Sequence, residues 1–359
     1  MENQRETGGG LGPALPRVAT EMPTTQHHVF LSPSRPDLSA AIRASLEGAG
    51  VLLRITPHSR IALKPNLTYP YHRPGVTTSP LVIRETVRIL RQFTPHISIV
   101  ESDGGYGAWA ATEAFAGHNL HALQDEFGVE LVNLCAEDRE DISFRSHGNE
   151  YRLPLPKRLL HETGLLLSMP VPKIHCMTGL TLSYKNQWGC IPDTMRLRRH
   201  YIFDDAIVAI NRALRPAVLA DGSYFLDRNG PMDGDPVRMD LIIAASDAGA
   251  FDRYVSELMG FAWQRVSHFR RAVERGDMPS SLNEIVHNVS PTAVRTHTFT
   301  LERTTRNWIA LAGFKSRFLT WFGYESWFGR TLLHGILYAL AGKPVKPQPN
   351  NTEEKPKSD

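Results

Sequence analysis

The chain has 359 residues, of which 42% are hydrophobic and 21% charged, enough to bury a sizeable core in one large domain or two smaller ones. Its net charge of +3 and pI near 8.7 are too mild for the concentrated basic face that nucleic acid requires, so no nucleic-acid partner is expected. Three cysteines make no disulfide framework, and neither a signal-peptide core nor an uninterrupted spanning segment is evident, so the expected location is the cytoplasm.

Residues 1–25 are polar and rich in Gly and Pro, the composition of a disordered lead-in. A strand is predicted over 28–32, then a helix over 37–50 that stops at glycine. The next strand, over 59–67, ends in Lys64, Pro65 and Asn66. Ser79 suits an N-cap and Pro80 the first helical position, and apolar residues at 82, 83, 87, 89 and 90 give that helix one buried side. A strand over 96–105 runs into a polar, glycine-rich turn. Helix is expected as far as Phe127, followed by a strand over 129–134. The run 163–173 leads into the stretch VPKIHCMTGLTLSYKNQWGCIPD, from Val171 to Asp193. A helix over 203–216, strands over 217–223 and 239–246, and a helix over 247–261 complete the alternation. It argues for an α/β fold over 26–262, with a mainly parallel sheet and flanking helices. Past a soft boundary near 262, residues 268–286 read as helix, turn, helix, and 292–304 alternate like an edge strand. The remainder of 263–342 is an aromatic-rich, mostly helical extension, and 343–359 a disordered tail.

In open α/β sheets, ligands bind beyond the carboxyl ends of the strands. Here those ends carry Lys64 and Asn66; Glu101, Ser102 and Asp103; Lys173, His175 and Cys176; and Asp221. Such a concentration points to a shared cleft. Lys64, Lys173 and Lys185 each sit beside apolar residues, and a lysine is costly to bury alone. If the three converge they need an anion, most simply a phosphate or carboxylate on a small substrate. Asn66 and Asn186 would orient it, Ser102 and Asp103 would lie alongside, and Gly230 would let the backbone come close. The ordinary alternative pairs each lysine with a carboxylate such as Asp103, Asp193 or Asp221. His175 is the favoured proton carrier, because imidazole titrates near neutrality. Asp193 and His200 are the next candidates for acid–base work, and Asp103, Asp193 or Asp221 would orient His175 or hold a divalent cation. His175, Cys176, Cys190 and His200 are the candidate ligands of a transition metal, although Cys176 and Cys190 lack the tight spacing of a zinc clip. No phosphate-binding loop, dinucleotide fingerprint or hydrolase nucleophile elbow is present.

The runs IALKPNL, TSPLVIRETVRIL, VESDGG, VPKIHCMTGLTLSYKNQWGCIPD, LADGSYFLDRNGPMDGDPV and DLIIAASDAGAFDRYVSELMGF occur in this order. Together they resemble the uncharacterised bacterial and archaeal family called "domain of unknown function 362", over roughly 60–262. Its Lys-x-His and Lys-Asn-x-x-Gly elements fall on Lys173, His175, Lys185, Asn186 and Gly189, and its Gly-Pro-Met-x-Gly element on Gly230 to Gly234. Many relatives carry a ferredoxin-like module and are labelled iron–sulfur proteins. This chain lacks a CxxCxxC run, and three cysteines cannot hold an all-cysteine cubane, so no bound iron–sulfur cluster is expected. The resemblance leaves room for a separate redox partner.

The region 308–342 is aromatic and mildly basic. It is expected to pack on the core, with a homodimer interface or membrane-surface contact as alternatives. Glu325, Arg330 and His334 argue against its spanning a bilayer. The functional expectation is an enzyme acting on a small anion. The alternatives are a metal-binding or redox-accessory protein, and a binding protein of the membrane surface.

Overall fold

The computed structural model describes residues 26–324 and 326–333. The lead-in expected over 1–25, the tail expected over 343–359, and the aromatic stretch from 334 onward lie outside the described residues.

The chain opens with β1 (His27–Pro33) and α1 (Leu38–Gly48). Then β2 (Ile61–Pro65), α2 (Pro80–Leu90), β3 (Ile97–Glu101), α3 (Ala111–Gly117), α4 (His121–Phe127) and β4 (Glu130–Asn133) alternate as predicted. A hairpin of β5 (Arg139–Ser146) and β6 (Asn149–Pro156) precedes β7 (Leu165–Met169), β8 (Lys173–His175), β9 (Gly179–Thr181) and the single turn α5 (Ser183–Asn186). The rest comprises α6 (Phe203–Leu214), β10 (Ala217–Asp227), β11 (Asp235–Ala245), α7 (Ala248–Leu258), α8 (Ser267–Glu274), β12 (Ile285–His287), α9 (Thr305–Lys315) and α10 (Arg317–Tyr324). Several helices begin where a short polar side chain accepts an orphan N–H. Asp37, Ser79 and Asp247 cap α1, α2 and α7 in this way, and Pro80 occupies the first turn of α2.

The main sheet has the order β12-β1-β11-β10-β7-β2-β3-β4, with β8 and β9 attached as a small hairpin beside β10. β10, β7, β2, β3 and β4 are parallel, and β11 is antiparallel to its neighbours β10 and β1. The fold is therefore α/β with a mixed, mostly parallel sheet flanked by helices. β2, β3 and β7 are buried along their whole length, as strands covered on both faces must be. Ile61 and Leu63 join the core under α1 and α2, whereas Ala62 faces the core under α6 and α7.

The connectivity creates a reversal. From β2 the chain steps outward through β3 and β4, then returns to lay β7 on the opposite side of β2. In open α/β sheets, the carboxyl ends of the strands at such a reversal, here β2 and β7, are where ligands bind.

Three segments differ from the sequence expectation. The β5–β6 hairpin was not anticipated. Its two-residue loop, His147 and Gly148, has φ of 48° and 79°, as a type I′ turn requires, and the alternation of Ile142 and Phe144 matches Tyr151 and Leu153 across it. The second helix expected within 268–286 shortens to a 3-10 turn, Leu282–Glu284, followed by β12, whose residues pair in parallel with β1 at the sheet edge. Residues 292–304 form only one isolated bridge, Arg228 with Leu301. Their alternation reflects one-sided packing of an extended segment: Phe299 is buried against Phe225, and its N–H donates to the Met259 carbonyl outside any ladder.

In the aromatic extension, α9 and α10 pack against the 3-10 turn Arg196–Ile202, and the Arg317 guanidinium lies 5.9 Å from the centre of the Tyr201 ring. No helix among the described residues is long and apolar enough to cross a membrane.

Candidate functional site

The carboxyl ends of β2 and β7 are tied together by a polar network. Lys64 Nζ donates to Glu101 Oε2 at 2.8 Å and to the Pro65 carbonyl at 2.8 Å. The other Glu101 oxygen accepts from Ser102 N. Asn186 Nδ2 donates to the Lys64 carbonyl at 3.0 Å and to Ser168 Oγ at 3.1 Å, tying α5 to the ends of β2 and β7. Asn66 N donates to Thr78 Oγ1, which in turn donates to the Met169 carbonyl. Gly189 lies over the ion pair: a Cβ there would stand 3.1 Å from Lys64 Nζ and 3.2 Å from Glu101 Oε1. Lys64 thus has a buried carboxylate partner, though not one of the aspartates considered for it. With Lys64 compensated by Glu101, this network holds the strand ends together.

Beside it lies a basic cluster with no such compensation. Lys173 and His175 occupy alternate positions of β8 and so face the same way, and both are buried. Lys173 Nζ donates to the Val76 carbonyl, and no carboxylate among the described residues pairs with it. Burial, reinforced by the nearby positive Lys185, drives its pKa well below the usual lysine value. Lys185 is held on α5, whose first N–H groups, Ser183 N and Tyr184 N, donate to the buried carboxylate of Asp252 at 2.7 and 3.0 Å. Its ammonium reaches Thr181 Oγ1 on β9 at 3.4 Å, and burial lowers its pKa to about 7. His175 Nδ1 accepts from Met177 N at 3.0 Å and from Thr178 N at 3.4 Å. Burial, then the charges of Lys185 and Lys173, push its pKa well below 6.5. The ring is therefore neutral near pH 7, with its lone pair on Nδ1 and its proton on Nε2. The backbone orients His175, where the sequence suggested an aspartate.

Two more histidines complete the cluster. His200 Nδ1 meets the Leu197 carbonyl at 2.8 Å, its ring lies against Trp188 and Phe203, and burial takes its pKa to about 4. His268, on α8, is fully buried between Phe203 and Phe269. Neither of its ring nitrogens has a partner among the described residues, and its pKa falls to about 3 through burial and then Lys185. Lys185 thus depresses Lys173, His175, His200 and His268 together. Sequence reasoning missed His268, because it lies far from the dense stretch in the chain and α8 brings it in from behind.

The remaining candidates are committed elsewhere. Asp103 Oδ1 accepts from Ala111 N and Asn133 Nδ2, fastening the start of α3 to β4. Asp193 accepts from Met195 N and lies 3.5 Å from Arg199. Asp221 brackets Ser79 N and Ser223 N, anchoring the start of α2. The Ser102 hydroxyl is buried without a partner among the described residues. Gly230 does permit a close approach, but to protein: a Cβ would fall 2.2 Å from the Ile174 carbonyl oxygen, and its own carbonyl accepts from Cys176 N. Cys176 and Cys190 are buried, and burial raises both thiols, Cys190 to about 12. Among the described residues, no three His, Cys, Asp or Glu side chains are arranged to hold a metal.

A thylakoid-associated protein of Synechocystis sp. is 27% identical over 241 residues, covering 62% of this chain and 70% of its own. A solved Thermotoga maritima protein aligns with a TM-score of 0.35 at 11% identity, across 60% of this chain and 57% of that one. The family model described as "Domain of unknown function (DUF362)" matches residues 61–257, which takes in the β2–β7 reversal and every member of the basic cluster except His268. The chain belongs to that family.

Proposed function

We propose that the basic cluster is the binding site of a small phosphate- or carboxylate-bearing molecule, and that the protein is an enzyme performing acid–base chemistry on it. The observation that carries this is Lys173: a wholly buried lysine whose ammonium meets one carbonyl and no carboxylate. With no carboxylate beside it the ammonium form is disfavoured there, and a bound anion would favour it. Lys173 and Lys185 supply the charge, and the Nε2–H of neutral His175 donates to an oxygen of the ligand. With Asp193 and Asp221 committed to arginine and backbone partners, proton movement falls to Lys185, which titrates near pH 7, and to His175. A resident transition metal has no support in the arrangement of the described residues. The three free cysteines fit the reducing, cytoplasmic setting we assign to the protein.

The test is a thermal-shift screen of phosphate monoesters, inorganic phosphate and dicarboxylates against wild type and Lys173→Met. At a ligand concentration about 100 times Kd, a specific anion stabilises wild type by about 2.7 kcal/mol and leaves the variant nearly unmoved. An anion that shifts both proteins equally, or a panel that shifts neither, would remove the proposal.

A further inference from the structure

From the aromatic extension we infer a second binding surface, independent of the anion site: α9, α10 and the turn after them dock the protein on a bilayer carrying anionic lipid. Trp308, Phe318, Trp321 and Trp327 are 56%, 66%, 49% and 76% exposed, and Phe328 and Leu319 are nearly half exposed. Phe318, Trp321 and Phe328 belong to one run of ring contacts through Phe322. Phe318 touches both Trp321 and Phe322, with ring centres 6.2 and 6.3 Å apart, and Phe322 touches Phe328 at 5.5 Å. Isolated exposed apolar residues need no explanation, but a continuous exposed aromatic patch marks an interaction surface.

Charge and residue type select the occupant. From Arg303 to Leu333 the sequence carries five basic residues, Arg303, Arg306, Lys315, Arg317 and Arg330, against one acid, Glu325. Lys315 and Arg317 are exposed at the junction of α9 and α10, the Arg317 guanidinium also lying 5.9 Å from the centre of the Tyr201 ring. Tryptophan with lysine and arginine is the composition of a segment lying in the headgroup region, the rings at the boundary and the cations on lipid phosphate. An isologous contact between two copies would set the same net positive charge against itself. The attachment is peripheral, since no helix among the described residues can span a bilayer. The opposite side of α9 and α10 is already packed on Arg196–Ile202, so the extension can press on a surface without leaving the core.

The experiment is co-sedimentation of the full chain with vesicles of phosphatidylcholine alone, or with about 30% phosphatidylglycerol, at about 50 mM and 500 mM salt. Wild type should bind the anionic vesicles, bind the neutral ones far less, and release as salt rises. The double variant Trp321→Ser, Trp327→Ser should bind at least about tenfold more weakly. Both side chains are exposed, so its thermal unfolding should match wild type, which separates loss of docking from loss of fold. Absence of vesicle binding, equal binding by the variant, or a concentration-dependent dimer abolished by the variant in place of vesicle binding would each overturn the inference.

Discussion

Lys173 and Lys185 share a cluster but make different demands on it. Among the described residues Lys173 has the Val76 carbonyl as its one partner, so Lys173→Met removes a buried amine whose charged form is disfavoured while keeping the bulk. Replacing an uncompensated buried charge by an apolar side chain of similar size is neutral to stabilising. The variant should therefore unfold in urea no earlier than wild type, and yet lose the anion response in the thermal-shift screen. Lys185 makes a pH prediction. In the unfolded chain it titrates at 10.5, and in the folded protein at about 7. Between those values the unfolded chain holds the extra proton, so this group makes the unliganded protein more stable as pH rises from 7 towards 10.5. Below 7 both states are protonated and its unfavourable contribution is constant. A bound anion favours the protonated lysine and so acts in the opposite sense. Sulfate at low concentration, whose charge is constant over this range, should raise Tm most below pH 7 and progressively less above it. A sulfate increment independent of pH from 6 to 9 would separate Lys185 from the site.

At the scale of elements, the Lys64–Glu101 network and Gly230 pack against the segments that carry the basic cluster, α5 and β8. Lys64→Met leaves Glu101 buried without its cation and should cost about 3–5 kcal/mol in urea unfolding, whereas Lys64→Met combined with Glu101→Leu should recover most of that loss. Gly230→Ala drives a methyl group into the Ile174 carbonyl on β8 and should cost about 1–3 kcal/mol. Because the strain falls on the strand that carries Lys173 and His175, the anion-induced shift should also shrink; an unchanged shift would mean that β8 does not position the site. These elements also show what was legible in the sequence. The helix caps, the polar strand ends and the β–α alternation were readable because each depends on residues close together in the chain. The β5–β6 hairpin left a readable trace, Gly148 in a two-residue loop between alternating runs, that went unused. The fate of Lys64 was not legible, because Glu101 lies 37 residues away and only the parallel pairing of β2 with β3 brings the two carboxyl ends together. Asp103, Asp193 and Asp221 look like site residues in the sequence because strand ends and helix starts recruit aspartate for capping as readily as for chemistry.

Across the whole molecule, the α/β class and the family followed from the sequence by itself. Hydrophobic periodicity is a local consequence of strand and helix geometry, and the conjunction of Lys-x-His with Lys-Asn-x-x-Gly is a property of consecutive residues. Only the tertiary structure decided which lysines lie together. The parallel pairing of β2 with β3 gave Lys64 its carboxylate, while β8 and α5 left Lys173 and Lys185 without one among the described residues, and α8 placed His268 against the same group of bases. It also decided that the aromatic extension packs one side on Arg196–Ile202 and keeps the other exposed. The reason is physical: a side chain's charge state and partners depend on which distant carboxylates, carbonyls and rings come within a few ångströms, and that is fixed by how the sheet is wound.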